Sequence, residues 1–231
     1  MKRIIILFIL ALCCLNMSNL MAQKKKAFAG TVKYAIKYEG DIDPQDLAKA
    51  PTEISYLVAG NNTKVTRDLG GAFRHDITIG DSGKTIILFD IPGQKMAVVV
   101  TKEESEDGQK AYKYDIVDGN ETKEVCGFVC KRYDVTITNI EEENETKLIV
   151  YTSDAIGLDE KINFDIPGLK GFPLYRTIEG KTVKTTYEAV EVRKKKVSPA
   201  EFMIPEGYQV MTVEEFQQLL ESAGGQGESE E

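Results

Sequence analysis

The sequence predicts a mainly β fold, an antiparallel meander of strands that forms one curved sheet. Apolar or β-branched residues alternate with polar ones along most of the chain, which is typical of strands with one buried face. Short turn sequences such as Gly60-Asn61-Asn62, Pro92-Gly93 and Asp118-Gly119-Asn120 separate these runs, so neighbouring strands should pair as hairpins. A sheet of about ten strands must curl or close, and small barrels often enclose a cavity of ligand size.

The elements follow from the local pattern. Strands are predicted at residues 31–38, 52–59, 63–69, 73–79, 85–90, 95–101, 111–117, 131–140, 147–152 and 182–192. A short helix is predicted near residues 44–50, because Asp43 can cap it and Pro44 suits the first helical position. A second helix is predicted near residues 213–222, where Thr212 and Glu215 form a capping box before an apolar stripe.

The two ends of the chain predict export and a single domain. Lys2 and Arg3 precede an apolar run that is too short to span a membrane, so residues 1–22 are interpreted as a signal peptide and Gln23 as the mature start. Residues 23–222 then form one β domain, and residues 223–231 a disordered acidic tail. No transmembrane span is predicted, and the short signal and the Gln23 start indicate a bacterial protein. Leu12 before Cys13 argues against processing as a lipoprotein.

The charge of the chain argues against nucleic acid as a partner. Lys and Arg total 29 and Asp and Glu 37, which gives a formal net charge of −8 at pH 7. Binding to a phosphate backbone depends on clustered basic residues, and the basic runs at residues 24–26 and 193–196 are better explained as a tether and a strand end.

No catalytic, metal or cofactor site is predicted. His75 is the single histidine and lies within a predicted strand, so a multi-histidine zinc site is excluded. Gly80-Asp81-Ser82-Gly83 resembles fragments of a serine-protease motif and of a phosphate-binding loop, but a strand follows it, which indicates a hairpin turn. The acidic clusters at residues 103–107 and 141–143 lack the spacing of a calcium loop and are interpreted as hairpin tips. The protein is therefore predicted not to be an enzyme.

Cys126 and Cys130 form the one notable cysteine pair. On a regular strand, residues four apart lie about 13 Å from each other, which is too far for a disulfide. A turn or bulge at Gly127 would bring the two thiols closer. A tight structural bridge and two separate thiols both stay open.

Four segments resemble a family of exported Gram-negative proteins of unknown function, which is similar to the LolA and LolB lipoprotein carriers and to the GLPGLI family. They are residues 123–133, 151–154, 165–174 and 202–208. The most specific parts are Gly171-Phe172-Pro173-Leu174 and Ile204-Pro205-Glu206-Gly207-Tyr208. The resemblance covers most of the chain from Phe28 to about Met211, although Cys126 stands where the family usually has an apolar residue.

The resemblance implies a half-open LolA/LolB-like β-barrel whose apolar face carries acyl chains. Apolar loop residues must be buried somewhere, so the segment from Ile166 to Leu174 is expected to lie over the mouth of this barrel. Ile166, Leu169, Phe172 and Leu174 are the predicted ligand-binding residues of a movable lid. A loop that plugs a packed barrel is the alternative for the same residues.

Two functional hypotheses lead, ahead of a hydrolase with an unfamiliar carboxylate pair, which would require two buried acids facing one cleft. The first is a non-enzymatic, exported binding protein in the periplasm or at the outer membrane, with a lipid, an acyl chain or a lipidated partner in its barrel cavity. The second is a structural or protein-interaction module of the envelope with a packed barrel, which would recruit a protein partner by a strand edge or its acidic face. A continuous apolar cavity would favour the first hypothesis, and a filled interior the second.

Overall fold

The computed structural model of the protein describes residues 28–156 and 166–224. Within them lies one sheet of twelve strands. The strands are β1 Ala29–Gly40, β2 Glu53–Ala59, β3 Asn62–Asp68, β4 Phe73–Ile79, β5 Lys84–Ile91, β6 Gln94–Val100, β7 Tyr112–Val125, β8 Phe128–Asn139, β9 Asn144–Ser153, β10 Phe172–Glu179, β11 Val183–Lys194 and β12 Gln209–Thr212. The helices are α1 Pro44–Lys49, α2 Lys102–Lys110 and α3 Val213–Gly224, with a 3-10 turn at Pro199–Phe202.

Two meanders share this sheet. Strands β1 to β6 pair in sequence, strands β7 to β11 do the same, and β11 then pairs with β1 to join the two halves. The order β12-β6-β5-β4-β3-β2-β1-β11-β10-β9-β8-β7 does not close on itself. The predicted fold class, a mainly β antiparallel meander in an open sheet with few helices, is thus confirmed. One pairing departs from it, because β12 returns beside β6 in parallel.

Two strands escaped prediction, and one predicted turn is wrong. Strand β10 begins with Phe172-Pro173-Leu174, a sequence that lacks strand character, and its pairing with β9 is irregular between Pro173 and Tyr175. Strand β12 has four residues, which are too few to show an alternation of apolar and polar side chains. The predicted turn at residues 118–120 is a shift of register inside β7, which continues to Val125. Pairing with β8 on both sides of the shift keeps the strand intact.

The predicted helices α1 and α3 are confirmed at their N-termini. The Asp43 side chain accepts a hydrogen bond from Gln45 N, and Pro44 opens α1. Thr212 and Glu215 form the predicted capping box of α3.

The prediction of a hairpin tip at residues 103–107 is wrong, whereas the turn at residues 141–143 is confirmed by the pairing of β8 with β9. Residues 103–107 lie in helix α2, whose capping box is formed by Thr101 and Glu104. This box, Thr-x-x-Glu after an apolar strand, is the signal in the sequence that would have predicted the helix.

The two faces of the sheet are both partly covered. Side chains alternate between faces along a strand, and paired residues share a face. The face that carries Tyr34 and Tyr56, called the tyrosine face, includes Val135 and Leu148 at the β7 end by the strand register. Leu57 lies on the opposite face, called the Leu57 face. Different segments cover the two faces.

Several predictions concern residues beyond those described. The predicted signal peptide, the Gln23 start, Cys13 and nearly all of the predicted acidic tail lie outside residues 28–156 and 166–224. Within these two ranges, no helix is both long enough and apolar enough to cross a membrane.

Candidate functional site

The candidate site lies between the sheet and residues 166–171, called the cover segment. Ile166 and Leu169 are 3% and 1% exposed. Both pack on the tyrosine face of the β7 to β10 half, in a cluster with Tyr133, Val135, Leu148 and Val150. The cover segment therefore seals an apolar patch with apolar side chains of its own.

Phe172 and Leu174, the other two predicted lid residues, lie on β10 and pack in the neighbouring cluster around β1 and β2. Phe172 is 2% exposed, and its ring meets the edge of Tyr56 at 5.8 Å between centroids. The structure therefore brings all four predicted residues to buried positions on adjoining apolar clusters. They divide into two loop residues and two strand residues.

Two glycines give the cover segment its shape. Gly168 has φ 86° and Gly171 has φ 75°, both in the left-handed region that side chains disfavour. The Leu169 backbone N–H donates to the Ile166 carbonyl at 3.1 Å, which closes a turn around Pro167 and Gly168. A Cβ at Gly171 would lie 2.9 Å from Asp154 Oδ1, so this position also needs the absence of a side chain. The segment enters β10 directly after this close approach.

The centre of the tyrosine face is filled. Tyr34, Tyr56 and Tyr187 line a crevice of about 10 Å³ together with Pro173 and Arg176. That is roughly the space of one water molecule. Since an acyl chain needs far more room, a ligand at this crevice must displace part of the protein.

Charged residues interrupt the apolar surface of the tyrosine face. Asp76 forms ion pairs with Arg67 and with Arg74, the latter at 2.9 Å from Nε to Oδ1. The Arg74 guanidinium also lies 5.7 Å from the centre of the Phe89 ring. Beyond this cluster, Phe216 of α3 stacks on Phe89 and covers Met96 and Val98. The charged cluster thus separates the patch under the cover segment from the patch under α3.

Arg176 is a residue of this face that sequence reasoning missed. Its guanidinium carbon lies 4.3 Å from the centre of the Tyr187 ring, within range of a cation–π contact. The residue was overlooked because β10 itself was not predicted. The signal in the sequence that would have predicted this strand is the alternation of Tyr175, Arg176 and Thr177.

Cys126 and Cys130 are separate free thiols in the structure. Cys126 and Gly127 form a two-residue hairpin turn with φ 53° and 79°, so the turn that a bridge would require is present without the bridge. The Cys126 thiol donates to the Ala189 carbonyl at 3.1 Å. Burial raises the pKa of Cys130 to about 11.

The remaining polar candidates lie in a strand and in a hairpin turn. His75 lies on β4, its Nδ1 2.9 Å from Thr66 Oγ1, and burial lowers its pKa. Residues 80–83 form the predicted hairpin turn, with Ser82 N donating to the Ile79 carbonyl. No group of three His, Cys, Asp or Glu side chains suited to a metal occurs among the described residues.

Comparison with solved structures shows distant similarity in fold. No family model and no curated protein matches the chain. The crystal structure of LprF from Mycobacterium bovis is similar over 80% of this chain and 93% of that chain, with 8% sequence identity and a TM-score of 0.36. A similarity at this TM-score carries no argument about function.

Proposed function

We propose that the protein is a non-enzymatic, exported binding protein of the bacterial envelope, which takes a lipid, an acyl chain or a lipidated partner beneath its cover segment. The observation that supports this is the burial of Ile166 and Leu169, at 3% and 1% exposed, on an apolar patch of the sheet. Connecting segments are usually polar and run over the surface. An apolar connection with an apolar floor is what a displaceable cover over a chain-binding groove needs.

An acyl chain can replace the apolar contacts that the cover segment loses when it opens. Lifting Leu169 away from Val135 and Val150 exposes apolar area to water. This exposure costs a free energy of about 25 cal/mol for each Å². Each CH₂ group of a chain that enters the gap returns about 0.8 kcal/mol. The exchange of one apolar contact for another keeps the closed and the ligand-bound states close in free energy. The apparent affinity then equals the intrinsic affinity multiplied by the fraction of molecules in which the cover segment is open.

The proposed function assigns no catalytic residue, metal or cofactor, and it excludes nucleic acid as a partner. The net charge of −8 disfavours a polyanion. The predicted signal peptide supports export, to the periplasm or the outer membrane. The cover segment favours an uncharged apolar chain as ligand, because the sheet surface beneath it consists of Tyr, Val and Leu side chains.

The test compares one substitution on the two faces of the sheet. Leu169→Ser should weaken binding of a pyrene-labelled fatty acid several-fold, because a chain beneath the cover contacts this side chain. Leu57→Ser is the matched control, since Leu57 is also buried, at 9% exposed, but lies on the Leu57 face. It should lower stability and leave the affinity of the folded protein unchanged. Absence of binding by the wild-type protein at high micromolar probe would overturn the proposal.

The second candidate is an envelope interaction module with a packed interior. The crevice of about 10 Å³ at Tyr34 and Tyr56 favours it, because the tyrosine face is filled there without any ligand. On this hypothesis the cover segment is a plug, and Leu169→Ser destabilises the fold by several kcal/mol, as large-to-small core substitutions do. The wild-type protein then binds no acyl-chain probe, so the same experiment separates the two candidates.

A further inference from the structure

Arg67 and Arg74 lie directly opposite each other on β3 and β4, on the tyrosine face. Their Cβ atoms are therefore about 5 Å apart, and like charges in this arrangement repel each other. One carboxylate, that of Asp76, pairs with both arginines. It accepts a hydrogen bond from Arg67 at one oxygen and from Arg74 Nε at the other, the latter at 2.9 Å. The three side chains together keep one unbalanced positive charge.

The surroundings of these three side chains on the sheet are uncharged. Ile54 is the cross-strand neighbour of Arg67 on one side, and Phe89 is that of Arg74 on the other. Along strands β2 to β6, which lie wholly in the described part of the chain, every other residue that the register places on the tyrosine face is uncharged. A charge among apolar groups attracts a counter-ion more strongly than a charge in water does. This position therefore favours an anion.

Both guanidinium groups retain hydrogen-bond donors for an anion. Each guanidinium has five N–H groups, and each uses one nitrogen to contact Asp76. No other hydrogen bond of Arg67 or Arg74 occurs among the described residues. The two side chains are 30% and 40% exposed, so a ligand can reach them. Guanidinium groups bind the oxygens of a carboxylate or phosphate group through parallel N–H donors.

A cleft of about 420 Å³ lies beside the arginines, at the end of β3. It is lined by residues 48–53 and 68–70. Its volume is in the range of small-molecule sites, about 300 to 1,000 Å³. Leu69, which is 46% exposed, follows Arg67 by two residues, or about 7 Å along a strand. Glu53 and Asp68 also line the cleft, so an anionic group is favoured at the arginines and an uncharged group in the cleft.

We propose that Arg67, Arg74 and the adjoining cleft form a binding site for an amphiphilic anion, a carboxylate or phosphate group that carries a small apolar chain or ring. The two guanidinium groups hold the oxygens, and the apolar part covers Leu69. Binding neutralises the unbalanced charge and removes an exposed apolar side chain from water. The site lies on β3 and β4, whereas the cover segment lies on β8 and β9, so this proposal does not depend on the function proposed above.

Isothermal titration calorimetry with three probes tests the class of ligand. Hexyl phosphate carries both parts of the proposed ligand, hexanol carries only the apolar part, and inorganic phosphate carries only the anion. Hexyl phosphate should bind about tenfold more tightly than either of the other two, because it alone contacts the arginines and the cleft together. Absence of binding at millimolar hexyl phosphate would overturn the proposal, as would an equal affinity for hexanol or for inorganic phosphate.

Three variants test the residues. Arg74→Gln leaves the pair of Arg67 and Asp76 in place but removes the unbalanced charge, and it should weaken binding of hexyl phosphate about tenfold. Arg193→Gln is the matched control, because Arg193 is 72% exposed on β11 and its loss should leave the affinity unchanged. Asp76→Asn removes the competing carboxylate and should strengthen binding several-fold. A purely structural role of the three side chains predicts no such gain.

Far-UV circular dichroism shows whether each variant is folded. If Asp76→Asn does not fold, the comparison of Arg74→Gln with Arg193→Gln decides the question. A folded Arg74→Gln protein that binds hexyl phosphate as tightly as Arg193→Gln does, or a folded Asp76→Asn protein that binds it less tightly than the wild type, would overturn the proposal.

Discussion

The two faces of the sheet are sealed by two connections of different construction. On the tyrosine face, the cover segment places Ile166 and Leu169 on β8 and β9. On the Leu57 face, the connection from β11 to β12 places Phe202 on Leu57, Ile77 and Leu88, with Val197, Ile204 and Tyr208 packed beside them. Both connections are apolar and both bury their largest side chains. They differ in how the backbone is held.

The connection on the Leu57 face is fixed at several points. Ser198 caps the 3-10 turn at Pro199–Phe202, and Met203 N donates to the Ala200 carbonyl. The Tyr208 hydroxyl lies 3.4 Å from Asp90, and β12 then pairs with β6. The cover segment instead turns on two glycines around Leu169. The comparison teaches that two connections can bury their apolar side chains equally well with different backbone constructions, a capped 3-10 turn on one face and glycine turns on the other.

The largest expected effect is loss of the seal on the Leu57 face. Phe202→Ala removes a ring that is 4% exposed and should lower the free energy of unfolding by about 3 to 5 kcal/mol. Urea denaturation followed by circular dichroism measures this. Met203→Ala is the control, because Met203 is 63% exposed and its loss should change stability by no more than about 0.5 kcal/mol. If Phe202→Ala is equally mild, the connection is not a seal and the comparison fails.

A smaller effect is expected from the helix that continues this connection. Thr212→Ala removes the cap of α3, whose Phe216 stacks on Phe89, and should lower the free energy of unfolding by about 1 kcal/mol. Thr101→Ala removes the same capping box from α2, which buries no side chain. The control should therefore affect thermal unfolding less. Equal losses would show that α3 contributes no packing of its own.

Most of the fold could be predicted from the sequence because strand alternation is a local signal. The hairpin turn at Ser82 and the caps at Asp43 and Thr212 are local in the same sense. The pairing of β1 with β11 joins residues such as Val32 and Val192, and no local pattern specifies such a distant partner. The same holds for the parallel return of β12.

The candidate site could be predicted in part. An apolar residue in a Gly-rich connection must be buried, and this rule placed Ile166 and Leu169 correctly at buried positions. Which face they cover depends on the register of β8 and β9, and the sequence does not contain that register in readable form. Arg67 and Arg176 reach the tyrosine face by the same long-range geometry.

The smallest expected effect concerns Cys126 and Cys130, the two thiols near the tip of the β7–β8 hairpin. Cys126 is exposed and Cys130 is buried, so native protein that has not been reduced should take up one equivalent of maleimide, at Cys126. Unfolding should release the second thiol. A native protein that reacts at neither thiol, and at both after reduction, would show that Cys126 and Cys130 are bridged.

The same pair predicts how stability depends on alkaline pH. Burial raises the pKa of Cys130 in the folded protein to about 11, above its ordinary value of 9.0. The folded state therefore keeps the thiol proton when the unfolded state has begun to lose it. The resulting stabilisation is complete below pH 9 and is lost progressively as the pH rises to about 11. Chemical denaturation at a series of pH values should show this decline in the wild-type protein. Cys130→Ala should show less of it, and an equal decline in this variant would assign the effect to other groups.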